Sequence, residues 1–133
     1  MTEPRPEPRD VTPLTLERAK AAIRIVAQAV LAGEAALTYS DLARRLGMSK
    51  VNGQGLSRYL NEAAALCAEQ GLPNVAVLVV SQDSLQRGQP LPSEGSFTEG
   101  FYASTGLART DVPAEQDRVR AFDWRAVPGL ALD

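Results

Sequence analysis

The stretch TYSDLARRLGMSKVNGQGLSRYL, Thr38 to Leu60, constrains the fold more than any other part of the chain. It reads as two short helices around a tight turn. Thr38 and Asp41 have the Ser/Thr-x-x-Asp/Glu spacing of a capping box, in which hydroxyl and carboxylate satisfy each other's free backbone N–H. Behind that cap, Tyr39, Leu42, Ala43 and Leu46 share one apolar face, and Gly47 ends the helix. The next helix starts between Ser49 and Gly55 and runs to about Gln70. Leu56, Leu60, Ala63 and Cys67 form its buried face, and Gly71 and Pro73 stop it.

The flanks supply the rest of a small domain. A first helix begins near Pro13 to Leu16, with Thr12 or Thr15 as its N-cap. Leu16, Ala19, Ile23, Val26 and Val30 recur at spacings of three and four, which makes a core-facing stripe, and Gly33 suits the C-cap. Residues 34–38 add a short extended segment. Val75 to Val80, VAVLVV, is β-branched, short and bounded by turn formers, so it reads as a buried strand. Residues 81–100 are rich in Ser, Gly, Pro and Gln and read as a long loop or a ragged hairpin, with Phe97, Phe101 and Tyr102 packing its far end back. Asp111 to Ala121 forms a short helix with Pro113 in its first turn, and Phe122 and Trp124 anchor the C-terminal segment to the core.

A chain of 133 residues suits one domain, and an apolar fraction of 44% is enough for one core. The expected division is a disordered Pro-rich tail over 1–12, a single domain over 13–127 and a C-terminal tail over 128–133. The fold class is α+β and mostly helical. Its core is like a winged helix-turn-helix: three helices, then a short strand or hairpin, then a C-terminal helix.

Charge singles out a partner. Between Leu42 and Asn61 stand Arg44, Arg45, Lys50 and Arg58, with no acidic residue, in a chain of net charge −2. Such a focal basic patch makes DNA the leading partner. On the third helix Gln54, Ser57, Arg58 and Asn61 fall at i, i+3, i+4 and i+7, opposite Leu56 and Leu60. Arg pairs with guanine and Gln or Asn with adenine, so this stripe suits base edges. Arg44, Arg45 and Lys50 flank it as phosphate contacts, and Asn52 lies in the turn between. Gly53 and Gly55 permit close backbone approach, and Arg87 is placed where a wing tip would meet a phosphate. The competing reading of the same face is a solvated surface or a protein contact; the alternative function is a protein-interaction module on a winged-helix scaffold, served by the acidic second half and the loop carrying Leu85, Leu91, Phe97 and Phe101.

TYSDLARRLG, NGQGLSRYL and the Leu72-Pro73 turn into a strand ending in Val79-Val80 resemble the DNA-binding domain of O6-alkylguanine alkyltransferases and alkyltransferase-like proteins. The resemblance covers about Leu37 to Val80. It implies a winged helix that binds the DNA minor groove. The family's Pro-Cys-His-Arg or Pro-Trp-His-Arg motif has no counterpart, because Asn74-Val75-Ala76 follows Pro73, and Gly53 and Gln54 stand where its arginine finger is expected. Alkyl transfer is therefore not implied. The chain is also similar to small phage and bacterial domains with the T-Y-x-x-L-A-x-x-L-G pattern, and a regulatory or phage/defence-associated role is the matching expectation, with no activity carried over.

The side-chain inventory argues against an enzyme. There is no histidine, which removes Ser-His and Cys-His catalysis and His-containing metal sites. The single Cys67 cannot build a zinc site or an internal disulfide, and reads as a core residue. No phosphate-binding glycine loop occurs. Glu115, Asp117 and Asp123, or Glu94 and Glu99, could in principle hold Mg²⁺; Glu115 is better explained by a helix N-terminus and the others by a charged surface. No cofactor and no metal are expected. No apolar run reaches the roughly 20 residues of a membrane span, and the polar start is unlike a signal peptide, so the expected location is the cytoplasm.

Overall fold

The computed structural model describes residues 12–48, 53–88 and 109–127, and these are mostly helical. The first helix, α1 (Pro13–Leu31), starts where its cap dictates. The Thr12 hydroxyl accepts the Thr15 N–H at 3.1 Å, and Pro13 follows in the first turn, where its missing N–H costs nothing. Ala19, Ile23 and Val26 of the expected stripe are buried, joined by Ala22, Ala27 and Ala29, and Val30 packs against their edge.

Three helices end in the same way. After α1, Gly33 donates to Val30 O and Glu34 to Ala29 O; after α2 (Tyr39–Arg45), Gly47 donates to Arg44 O and Met48 to Ala43 O. After α3 (Gly53–Glu69), Gly71 donates to Ala68 O and Leu72 to Cys67 O. This is the Schellman arrangement, which needs a left-handed residue just past the helix, and Gly47 at φ +79° and Gly71 at φ +70° provide it. Each stop therefore also satisfies two otherwise orphaned carbonyls.

The segment after α3 departs from expectation. Only Val79–Val80 is a strand, β2, and it pairs in parallel with β1 (Leu37–Thr38), Leu37 opposite Val79 and Thr38 opposite Val80. Val75–Leu78 is instead a 3-10 turn. The Asn74 side chain caps it by accepting the Ala76 N–H at 3.0 Å, and Gln116 Nε2 donates to Val77 O at 2.9 Å. β1 has only two residues to offer before Thr38 becomes the N-cap of α2, so a longer ladder has no partner. All six residues from Val75 to Val80 are buried, and an unbroken apolar run does not distinguish a strand from a tight buried turn.

The expected loop after Val80 opens on a helix instead. The Ser81 hydroxyl accepts the Ser84 N–H at 3.2 Å and caps α4 (Gln82–Gln86). The remainder of that segment, with Phe97, Phe101 and Tyr102, lies outside the described residues, as do the two tails. A 3-10 turn (Arg109–Asp111) leads into α5 (Val112–Ala121), and Asp111 takes the cap position without a side-chain cap bond. A last 3-10 turn, Trp124–Ala126, ends the described chain.

One core joins these elements. α1 packs on α3, and α1, α3 and α5 all pack on the Val75–Leu78 turn. Trp124 is wholly buried. Its indole N–H donates to Val119 O at 2.8 Å, and its ring meets Phe122 edge-on at 4.7 Å. Among the described residues no helix is long and apolar enough to cross a membrane.

Candidate nucleic-acid interface

Of the residues singled out by charge, the α2–α3 unit presents Arg44, Arg45 and Arg58. Thr38 Oγ1 accepts the Asp41 N–H at 3.1 Å, so the capping box forms its N-terminal half as expected. Leu42 and Ala43 are buried, and Tyr39 and Leu46 pack partly against the core. That fixes the opposite side of α2 outward, with Arg44 and Arg45 in its last turn, where cations complement the helix dipole.

Neither arginine stands alone. Arg44 Nη2 donates to Asp41 Oδ1 at 2.7 Å. Arg45 Nη2 donates to both oxygens of Glu34, at 3.1 and 3.3 Å. Burial pushes the Asp41 carboxyl up, but the Arg44 bond, the Thr38 backbone and hydroxyl contacts and the Arg44 charge together hold it below the ordinary value of 3.8. The window from Leu42 to Asn61 contains no acid, yet chain folding brings acids from just before it onto its arginines. The Asp41–Arg44 pairing is legible as an i, i+3 spacing on a helix. The Glu34–Arg45 pairing bridges the α1–α2 loop and has no sequence signature.

On α3, Arg58 is exposed and Asn61 is half-buried. No ion pair engages Arg58 among the described residues. The side chains of Gln54 and Ser57, and the whole of Lys50 and Asn52, lie outside the described residues. Beyond Arg58 the helix turns inward: Tyr59, Leu60, Glu62, Ala63, Ala64, Ala65 and Cys67 are all buried. Any outward polar stripe on α3 therefore belongs to its N-terminal half. That half is tied to α1 by Arg18, whose Nη1 donates to Tyr59 Oη at 2.6 Å with the guanidinium 5.2 Å from the ring centroid. Arg87, the expected wing-tip contact, follows α4 directly and pairs with Asp83 at 3.0 Å.

The remaining reactive groups are built into the core. Cys67 is fully buried, and its thiol is pushed up to about 11 by burial, with the Glu115 charge adding to the rise and a Val75 backbone contact opposing it. Such a thiol is not a nucleophile near neutrality. Glu115 does occupy the first turn of α5, but it is not a surface charge. It is buried, with Oε2 accepting the Asn74 N–H at 2.7 Å and Oε1 the Arg118 guanidinium at 2.7 Å. Among the described residues no three His, Cys, Asp or Glu side chains gather to hold a metal ion.

No family model matches the chain, and neither a curated protein nor a solved structure shows significant similarity to it.

Proposed function

We propose that the chain is a small, non-enzymatic DNA-binding protein that docks through the α2–α3 unit. The observation that carries this reading is Arg58, exposed on the N-terminal half of α3 and without a carboxylate partner among the described residues. Two further arginines stand in the last turn of α2, one helix away. In this mechanism Arg44, Arg45 and Lys50 meet phosphates and position the protein, while Gln54, Ser57, Arg58 and Asn61 face the bases. The winged-helix resemblance belongs to the same reading. Support for it lies in the helix–turn–helix order and the Gly47 stop of α2, not in a wing: the short sheet of the described residues is parallel, with its strands before α2 and after α3.

The second reading is a protein-interaction module on the same scaffold. It is favoured by the ion pairing, since Arg44, Arg45, Arg87, Arg118 and Arg120 each pair with a nearby acid. A titration of the whole chain against random duplex and single-stranded DNA at several salt concentrations separates the two. DNA binding gives an affinity that falls with salt, and Arg58→Ala flattens the log–log slope by about 0.9 if it loses one duplex phosphate contact, or relaxes base preference if it reads bases. Absence of binding at low salt removes the DNA reading and leaves the protein partner.

A further inference from the structure

Arg45 is engaged by a carboxylate held on a fixed stem. The Glu34 backbone N–H donates to Ala29 O at 2.9 Å, which locks it to the end of α1. The next residue's carbonyl, Ala35 O, accepts the Arg120 Nε–H at 3.0 Å, so α5 holds the same loop from outside. From that stem both Glu34 oxygens reach the Arg45 Nη2. The pair is only partly buried, with side-chain exposures of 34% for Arg45 and 38% for Glu34. Arg44, one residue earlier, is engaged by one oxygen of Asp41 on its own helix. A carboxylate on Nη2 occupies a donor that a phosphate would also take. An exposed pair of this kind is weak enough to be exchanged.

We propose that Glu34 is a built-in competitor for phosphate at Arg45, an electrostatic brake that weakens non-specific DNA binding by the α2 surface. The proposal rests on the DNA reading above and specifies how that site is restrained. A DNA phosphate must displace the Glu34 carboxylate from Nη2 before Arg45 contributes its full donor set, so the resting protein presents a nearly neutral α2 despite two adjacent arginines.

The test is a gain of function. Glu34→Gln keeps the size and the backbone anchors of residue 34 but removes the competing charge. It is expected to tighten binding to random duplex DNA at low salt by about two- to fivefold, the fold-change matching a surface ion pair of roughly 0.4–1 kcal/mol. Asp123→Asn is the charge control, since it adds the same unit of net charge at an exposed residue that makes no side-chain cap bond. In an Arg45→Ala background Glu34→Gln should change nothing, because the site it releases is gone. Glu34→Ala serves as a second variant, and circular dichroism checks that each retains its helices. The brake is overturned if Glu34→Gln binds no tighter, if Asp123→Asn tightens binding equally, or if the gain survives in Arg45→Ala. Those outcomes leave DNA binding itself intact. If neither the native chain nor Glu34→Gln binds DNA at low salt, the DNA reading falls and the brake with it.

Discussion

Arg44 and Arg118 each sit three residues after a carboxylate and bind it at the same 2.7 Å, but the two acids live in different surroundings. Asp41 has a side-chain exposure of 34%, Glu115 one of 10%. Asp41 serves the cap of its own helix. Glu115 spends its second oxygen on the Asn74 N–H, 41 residues away, and so ties α5 to the turn that follows α3. The sequence spacing is identical, and so is the helix-surface geometry it produces. The difference lies in the group left without a partner when the acid is removed. At α2 that group can turn to water; at α5 it is a buried backbone donor, whose desolvation is the larger energy.

The strongest way to probe the α5 side is to remove its anchor. Trp124 is wholly buried and hydrogen-bonded to Val119 O, so Trp124→Ala should cost about 3–5 kcal/mol in urea unfolding. No substitution on the exposed side of α2 should approach that. Glu115→Ala comes next, at about 1–3 kcal/mol, because it strands the Asn74 N–H in the core. Glu115→Gln retains an acceptor oxygen and should recover part of the loss. If Glu115→Ala proved as mild as a surface change, the contrast between the two acids would collapse.

That contrast is only half visible in the sequence. Helix ends are legible because their chemistry is local: Thr12 and Thr38 as caps, and Gly33, Gly47 and Gly71 at the three Schellman stops, all depend on a few neighbouring residues. The stripes of α1 and α3 are legible because burial follows helical period. Val75 to Val80 is not, since its conformation is set by Asn74 and by Gln116 from a distant helix. The role of Glu115 is hidden for the same reason. At the candidate site the positions of Arg44, Arg45 and Arg58 on their helices can be read directly. The acids upon them cannot all be, because a count of charges along a window omits Glu34, which arrives through the fold.

A smaller effect tests the α2 cap itself. Thr38→Ala removes the acceptor of the Asp41 N–H and should cost about 1 kcal/mol. Acid should act on the same box. The folded Asp41 carboxyl lies below its ordinary 3.8, so its ionised form stabilises the native state. That contribution is fully present above the ordinary value and is lost as pH falls through the lowered one. Asp41→Asn should therefore flatten the stability profile in that acidic window and leave its shape near neutrality unchanged. A variant profile parallel to the native one throughout would mean that the Thr38 and Arg44 contacts do not favour the charged form.

The smallest expected effect sharpens the comparison most, because it comes from the arginine side of the same two pairs. Arg44 has a side-chain exposure of 70% and Arg118 one of 62%, so each keeps most of its hydration whether or not its acid is buried. Arg44→Ala should cost at most about 1 kcal/mol, whereas Arg118→Ala should cost more, because it leaves the buried Glu115 carboxylate without its guanidinium. The asymmetry between the pairs would then follow the burial of the acid, whichever partner is removed. A thermal-unfolding comparison of Arg44→Ala with Arg118→Ala measures this directly. If the two variants cost the same, the Asn74 N–H alone would account for holding the Glu115 carboxylate in the core.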